Sequence, residues 1–364
     1  MGRVVRSRDR PGGRGLLLGA RGSDPRAVPV GVPAGAGTDP HRGAGSSSRG
    51  GASSLRPVTD TAGTAGPPAY DWSAPPEWAT PSRLIRVEEH QTSNEWVPKL
   101  WQSPDARLLI VDATRGVVPV DERGERLRFV APVEEYDSAR HYLLGTVDAV
   151  PYFVMLGDPD ESVPGPSGTV RQLTVSLDDL DREIAITAVA LINWHRNESF
   201  CGRCGTTSEV RKAGFMRVCP NCGNEYFPRT DPAVIVAILD DEDRLLLGSQ
   251  ADWGNRVSVF AGFVEAGESA EQAVHREIAE EVGLSLRDIR YYGSQPWPFP
   301  RSLMLGFVAR AAGTEINIDN AEISYADWFT RDRLARDMAD GTIARPSSNS
   351  IAFRLITAWR QGRL

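Results

Sequence analysis

The sequence predicts an α+β protein whose largest part is an α/β/α sandwich around a mixed sheet. Three observations support this prediction. The chain has 364 residues, of which 41% are apolar, enough for two or three cores. Apolar runs of strand length flank one strongly patterned helix near residue 275. All four cysteines lie in one short stretch between the two halves, which predicts a small metal-binding ribbon there.

Residues 1–75 are rich in Gly, Arg, Ser, Pro and Ala, a composition that predicts a disordered tail. A translated upstream stretch, with the true start near Val58, is the alternative. Residues 1–57 contain ten arginines and three aspartates, so they carry +7 and the rest carries about −14. An acidic body argues against nucleic-acid binding by general charge. No apolar run reaches the length of a membrane span, and no signal peptide is evident, so we expect a cytoplasmic protein without membrane partners.

Residues 82–197 are predicted to form a small mixed α/β domain. Three apolar runs are its strand candidates, at Leu108–Val111, Tyr152–Leu156 and Val170–Val175. Apolar residues then recur at helical spacing over Leu180–Asn197, with Asp178 as the expected N-cap.

Residues 198–229 are predicted to form a zinc ribbon. The cysteines form two Cys-x2-Cys pairs, Cys201 with Cys204 and Cys219 with Cys222. This spacing favours a tetrahedral Zn²⁺ site over the alternative of two disulfides, because nothing indicates secretion. Four thiolates leave no open coordination position, so the zinc is expected to be structural.

Residues 230–364 are predicted to form the sandwich. Its strand candidates are Val234–Leu239, Arg244–Gly248, Arg256–Phe260, Tyr291–Gly293 and Leu303–Ala309. A closing amphipathic helix is expected over Asn349–Arg360.

The central helix has clear boundary signals. Ser269 and Gln272 have the spacing of a capping box, and Gly283 is a natural C-terminal stop. An apolar stripe of Val274, Ile278 and Val282 would dock this helix on the sheet.

Three carboxylates of this helix, Glu277, Glu280 and Glu281, fall within one arc of its surface. A solvated acidic face is the simple interpretation of such a cluster. Clustered hard oxygen ligands are also what Mg²⁺ or Mn²⁺ requires, and because the arc borders the buried stripe we favour a metal site.

The segment resembles the Nudix box, Gly-x5-Glu-x7-Arg-Glu-U-x-Glu-Glu-x-Gly-U with U aliphatic. Every defined position is filled, by Gly262, Glu268, Arg276, Glu277, Ile278, Glu280, Glu281, Gly283 and Leu284. The resemblance implies a Nudix hydrolase and its α/β/α sandwich.

A proline-rich segment, Ser294-Gln-Pro-Trp-Pro-Phe-Pro-Arg-Ser302, follows the box. Its prolines predict a rigid, extended loop whose aromatic rings could stack on a base. A plug that only closes the sheet edge is the alternative. Together with the ribbon, the segment resembles the NADH pyrophosphatase branch of Nudix hydrolases. The run Ala190-Leu-Ile-Asn-Trp-His-Arg196 is similar to that branch too, and the resemblance covers roughly residues 168–360.

This resemblance implies a site residue by residue. The catalytic metal would be held by Glu277, Glu281, the carbonyl of Ala261, and Glu322. Glu280 would act as a general base or a further ligand. Arg276 would orient the box carboxylates, and Glu268 would tie the loop to the helix.

The resemblance also implies substrate contacts. The dinucleotide would be held by Gln295, Pro296, Trp297, Pro298, Phe299, Pro300, Arg301 and Ser302. Arg171 would supply a charged contact, Ala352 a backbone contact, and Phe263 a stacking ring. Phe227 stands where the family often has tyrosine, so it would keep a stacking face for the substrate but lack the hydroxyl hydrogen bond. Gly214 stands where some members have a glutamate that contacts the substrate, so that role is not carried over.

The implied activity is hydrolysis of the pyrophosphate bond of NADH or NAD⁺ to AMP and nicotinamide mononucleotide, with Mg²⁺ or Mn²⁺. Removal of NAD caps from RNA 5′ ends is a compatible activity, and a homodimer is expected. One alternative is a Nudix hydrolase for ADP-ribose or another nucleoside diphosphate derivative. A zinc-ribbon nucleic-acid-binding protein without hydrolysis is the second.

Overall fold

The computed structural model describes residues 81–86, 95–318, 322–344 and 350–364. The helices are α1 (Trp96–Trp101), α2 (Pro159–Ser162), α3 (Val170–Leu173), α4 (Asp179–Asn197), α5 (Ala270–Val282), α6 (Arg331–Ala339) and α7 (Ile351–Arg360). The first eight strands are β1 (Arg107–Val111), β2 (Val117–Pro119), β3 (Tyr142–Val147), β4 (Val150–Leu156), β5 (Ser167–Thr169), β6 (Glu209–Arg211), β7 (Met216–Val218) and β8 (Glu225–Tyr226). The others are β9 (Asp231–Leu239), β10 (Leu245–Ser249), β11 (Phe260–Phe263), β12 (Leu286–Trp297), β13 (Ser302–Ala311) and β14 (Tyr325–Phe329).

Two predicted features fall outside these ranges: the tail of residues 1–75, and Asn349 at the expected start of the last helix. Within them, no helix combines the length and the apolar character needed to cross a membrane.

The N-terminal part is built on a three-stranded mixed sheet in the order β1-β4-β3, with β1 parallel to β4. Helix α4 packs against this sheet. The predicted N-cap is confirmed, since the Asp178 side chain accepts a hydrogen bond from the Asp181 amide at 2.8 Å. Ile184, Ala188 and Leu191 of α4 are buried in the same core, as their helical spacing predicts, whereas Leu180, at the same spacing, is only partly buried against it.

The predicted strand Val170–Val175 is wrong. Val170–Leu173 forms the short helix α3, and its buried Val170 packs in the core beside α4. Val170 and Leu173 are three positions apart, a spacing that suits a helical turn, and so short an apolar run does not distinguish a turn of helix from a strand. Tertiary contacts decide, since Arg182 of α4 donates hydrogen bonds to the carbonyls of Thr174 and Leu177, just after the turn.

The ribbon is a three-stranded antiparallel sheet in the order β6-β7-β8. A buried polar cluster joins it to α4. His195 lies 2.7 Å from the Gly214 carbonyl through Nε2, and Arg217 donates to its Nδ1 at 2.9 Å. The Tyr142 ring stacks on the imidazole with centroids 3.9 Å apart. This pattern requires a neutral imidazole, because Nε2 donates while Nδ1 accepts.

Acid is therefore expected to destabilise the protein through His195. Burial, with a smaller contribution from Arg217, lowers its pKa from 6.5 to about 4. The unfolded chain takes up this proton near pH 6.5 and the folded chain only near pH 4. The free energy of unfolding should fall across that window, by up to about 3 kcal/mol. Melting curves between pH 7 and 4.5 should show a steeper loss for the wild type than for His195→Gln. Exposed His275, changed to Gln, is the control; equal slopes for all three proteins would contradict the argument.

The C-terminal part is a six-stranded mixed sheet. Its order is β12-β13-β9-β10-β14, with β11 also paired to β9. Strands β13 and β9 are parallel, whereas the other pairs are antiparallel. Alternate residues of β9 face opposite layers: Val234, Val236 and Ile238 pack with α5, while Ile235, Ala237 and Leu239 pack with α7. The predicted mixed α/β sandwich is thereby confirmed.

The strand predicted at Arg256–Phe260 is wrong in position. Strand β11 begins at Phe260 and runs to Phe263, whereas Ser258 makes only an isolated bridge to Gly248. Val257 and Val259 are buried without belonging to a strand, which explains why their alternation was misleading. The later strands β12 and β13 are both longer than predicted.

Candidate functional site

Helix α5 begins and ends where the sequence predicts. Ser269 and Gln272 form the reciprocal capping box, with bonds of 3.2 and 2.8 Å. Gly283 ends the helix with φ of 67°, a left-handed conformation that favours glycine. Because both ends of α5 are fixed, the carboxylates of its last two turns have defined positions beside the sheet.

The three carboxylates of α5 lie in different environments. The Glu277 side chain is 14% exposed, Glu281 is buried at 5% exposure, and the Glu280 side chain is 63% exposed. A buried carboxylate carries a large desolvation cost, which a cation can offset. Glu277 and Glu281 are therefore shielded from solvent and would be stabilised by a cation, whereas Glu280 is mostly exposed.

Gly262 forms the seat of the Glu277 carboxylate. A Cβ added to this glycine would lie only 1.9 Å from Cδ of Glu277. The neighbouring residue Ala261 pairs with Ile235 of β9, so the seat belongs to the sheet. The glycine that opens the box is thus required for the close approach of the helix carboxylate to the β11 backbone.

Gly262→Ala is accordingly expected to lower kcat for the implied hydrolysis of NADH by about 10²-fold. A displacement of a reacting group by about 1 Å typically has an effect of this size. The melting temperature should change little, because the displaced atoms are the end of a flexible glutamate side chain. Gly313→Ala is the control, since its Cβ would meet no atom within 4 Å. Steady-state kinetics and thermal melts test this prediction. Full activity of Gly262→Ala would show that the close packing of Glu277 against Gly262 is not needed for catalysis.

Arg276 is the centre of an ion-pair network. Its guanidinium contacts Glu268 at 2.7 Å, Glu277 at 2.9 Å and Glu280 at 3.1 Å. It also donates to the Phe263 carbonyl at 2.9 Å. Hydrogen bonds from Arg276 and from the Glu265 amide lower the pKa of Glu268 to about 2. This network ties the loop after β11 to helix α5 and turns Glu277 toward Gly262.

The implied metal ligands offer the right chemistry, although they are not gathered into one shell. Ala261 is exposed on β11, and Glu322 is exposed shortly before β14. Among the described residues, Cys201, Cys204, Cys219 and Cys222 are the only potential ligand group with donor atoms all within 4.8 Å. The Glu277 carboxylate pairs with Arg276 instead. Three carboxylates, of which Glu281 is buried, and a carbonyl are nonetheless hard oxygen ligands of the kind that Mg²⁺ or Mn²⁺ prefers.

The cysteine cluster has the geometry of a zinc site. Its Sγ atoms are separated by 3.6 Å (Cys201–Cys222), 3.5 Å (Cys204–Cys219) and 3.6 Å (Cys204–Cys222), and all four cysteines are free. A tetrahedron with Zn–S bonds of about 2.3 Å has sulfur–sulfur edges of about 3.8 Å. The disulfide alternative does not fit these distances, since an S–S bond is about 2.05 Å long.

Arg171 and Trp297 come together although 126 positions separate them. The Arg171 guanidinium lies 5.7 Å from the centroid of the Trp297 ring, within cation–π range. Phe299 meets Trp297 edge-to-face at 5.2 Å. Arg171 and Trp297, both predicted to contact the substrate, therefore form one surface.

The proline-rich segment is not the extended loop that its prolines predict. Gln295, Pro296 and Trp297 belong to β12 and pair with β13, so only residues 298–301 form the turn. Strand β12 is an edge strand, where a proline sacrifices no ladder hydrogen bond on its open side.

The remaining candidates occupy diverse positions. Gln295 accepts a hydrogen bond from the Ile351 amide at 2.7 Å, which places it at the start of α7 beside half-buried Ala352. Pro298 and Ser302 are buried, and Pro300 is exposed. Phe263 and Phe227 are 56% and 50% exposed, so both rings are available for stacking.

Two supporting contacts were not predicted. Arg301 pairs with Asp231 at 2.6 Å, and Asn193 of α4 donates to carbonyls of the 298–301 turn. Asn193 lies in the run 190–196, which is similar to the NADH pyrophosphatase branch, but nothing in a single sequence predicts its contact with a turn over a hundred positions away. Long-range pairing of this kind leaves no local pattern.

Comparison with known proteins gives two family matches. Residues 229–348 match a family model described as the NUDIX domain, and residues 196–227 match the NADH pyrophosphatase zinc ribbon domain. The second match includes all four cysteines.

Curated relatives match about half of this chain. The NAD-capped RNA hydrolase NudC of Mycobacterium bovis (strain BCG / Pasteur 1173P2) is 45% identical over 214 residues, covering 56% of this chain and 68% of that protein. Its namesake from Pectobacterium carotovorum subsp. carotovorum (strain PC1) is 40% identical over 182 residues, covering 49% and 68%. A solved NUDIX hydrolase from Nitrosomonas europaea aligns over 45% of this chain and 92% of its own, with a TM-score of 0.35 and 20% identity.

Proposed function

We propose, from the premise that this chain belongs to the Nudix hydrolase family and contains an NADH pyrophosphatase zinc ribbon, that it hydrolyses the diphosphate bond of NADH and NAD⁺. The products would be AMP and nicotinamide mononucleotide. The observation that carries the proposal is the seating of Glu277 against Gly262, with Glu281 buried on the same helix.

The residues for a catalytic cation would be Glu277, Glu281, Glu322 and the Ala261 carbonyl. When bound, Mg²⁺ or Mn²⁺ would neutralise the diphosphate and lower the pKa of water at the site. The ion pair of Arg276 with Glu268 would keep the loop after β11 against α5, so that Glu277 stays in its seat. Exposed Glu280 would accept the proton of the attacking water or serve as a further ligand.

Substrate recognition would fall to the surface of Arg171 and Trp297. The indole can stack on an aromatic ring of the dinucleotide, and the guanidinium beside it can pair with a phosphate. Exposed Phe263 and Phe227 offer further stacking faces. Phe227 lacks the hydroxyl of tyrosine, so its contribution would be stacking alone.

RNA with a 5′ NAD cap presents the same diphosphate. The relatives named above carry that substrate in their names, so we propose cap removal as a second activity of the same site. We also infer a homodimer, as the family resemblance implies. Light scattering would then give twice the chain mass of 39.7 kDa. An active monomer would refute the homodimer.

The test is mass-spectrometric product analysis with NADH, ADP-ribose and a 5′-NAD RNA, each with Mg²⁺ or Mn²⁺. AMP together with reduced nicotinamide mononucleotide is the expected result. Turnover of ADP-ribose alone would assign another nucleoside diphosphate substrate. RNA binding without hydrolysis of any of the three would favour the nucleic-acid-binding alternative.

A further inference from the structure

One helix of the N-terminal part supports the turn that carries the substrate-binding aromatics. Asn193 of α4 is half-buried, and its Nδ2 donates to the carbonyl of Pro298 at 3.1 Å and to that of Pro300 at 3.4 Å. A proline has no amide hydrogen, so the turn has fewer internal donors with which to brace itself. An external donor from α4 compensates for this lack.

Two other residues of the turn also contact α4 or the core that α4 helps to form. Phe299 packs against the hydrophobic core that α4 shares with the N-terminal sheet. Arg301 pairs with Asp231 at 2.6 Å and approaches Glu198, the C-cap residue of α4, at 4.0 Å. Side-chain contacts thus flank the two carbonyls that Asn193 holds.

Helix α4 also fixes the partner of Trp297. Arg182 donates to the carbonyls of Thr174 and Leu177, which follow α3, and α3 contains Arg171. Residues 182 and 193 are eleven positions apart, about three helical turns, so they lie on the same side of α4. One helix face therefore holds both partners of the cation–π pair.

We propose that Asn193 is a positioning residue for dinucleotide recognition. It fixes the 298–301 turn so that Trp297 stays beside Arg171 and the two present one preformed surface to the substrate. This inference rests on the proposed function and deepens it, since it assigns the N-terminal part a role in affinity. Preforming a binding surface improves affinity because its ordering cost is met before the substrate arrives.

The experiment compares Asn193→Asp with Asn197→Asp in NADH hydrolysis. Aspartate has the shape of asparagine but no amide donor. Asn197 is the matched control, because it is exposed on the same helix and its amide donates to the Asn193 carbonyl rather than to the 298–301 turn. We expect KM for NADH to rise about tenfold in Asn193→Asp, with kcat within about twofold of wild type; tenfold corresponds to about 1.4 kcal/mol. Asn197→Asp should match the wild type.

A second variant separates positioning from loss of fold. Asn193→Gln keeps an amide donor and should recover part of the lost affinity. An unchanged KM in Asn193→Asp would overturn the inference, as would a loss of kcat and melting temperature shared by Asn193→Asp and Asn193→Gln. Absence of NADH hydrolysis by the wild type would instead refute the proposed function, which this assay measures first.

Discussion

Replacing Glu281 by glutamine is expected to lower kcat by about 10³-fold, roughly 4 kcal/mol in activation free energy. Glu281 is 5% exposed on a helix whose ends are fixed by a capping box and a left-handed glycine. Glutamine has nearly the same shape but no negative charge, so it would hold a divalent cation poorly. Steady-state kinetics with NADH over a Mg²⁺ or Mn²⁺ titration measure the effect.

The stability of the same variant tells a catalytic role from a structural one. Glutamine keeps the size of glutamate and can still form hydrogen bonds, so the melting temperature should change little. Glu271→Gln is the control, since Glu271 is exposed in the first turn of α5. Undiminished turnover by Glu281→Gln would remove Glu281 from the proposed metal site. A large loss of stability would point to a structural carboxylate.

The sequence predicts elements well where the signal is local. The bounds of α4 and α5 follow from caps at Asp178 and Ser269, which act on their own first turns. The strand prediction at Val170–Val175 fails because a short apolar run does not distinguish a turn of helix from a strand. Only the contact with α4 settles the conformation there.

In the candidate site too, local sequence signals predict some features, whereas others depend on tertiary contacts. Spacing along one helix places Glu277 and Glu281, and box glycines are expected at close approaches. The seating of Glu277 on Gly262, however, depends on the pairing of β11 with β9. The meeting of Arg171 with Trp297 depends on how two parts of the chain pack. Such contacts arise from tertiary structure, so a resemblance can name the residues but cannot supply their geometry.

The cysteine cluster is expected to affect stability more than catalysis. Cys204→Ser should lower the melting temperature by about 10 °C or more, because loss of a structural metal is among the most destabilising changes. Around the cluster, Gly205 and Gly223 donate backbone hydrogen bonds to the carbonyls of Cys201 and Cys219 at 2.8 and 2.9 Å. These turns direct the four sulfurs inward, and loss of the metal would remove the bonds that hold them together.

Zinc content and thermal melts, measured together, test this expectation. The wild type should contain one zinc per chain and Cys204→Ser none. Thr206→Val is the matched control, because it removes a hydroxyl 3.5 Å from the Cys204 sulfur and keeps all four cysteines. A Cys204→Ser protein with both its zinc and its melting temperature intact would show that the cluster does not hold a structural metal.

Because the ribbon joins α4 through His195 and Arg217, destabilising the ribbon should also disturb the helix that holds the 298–301 turn. We therefore expect KM for NADH to rise in the fraction of Cys204→Ser that remains folded.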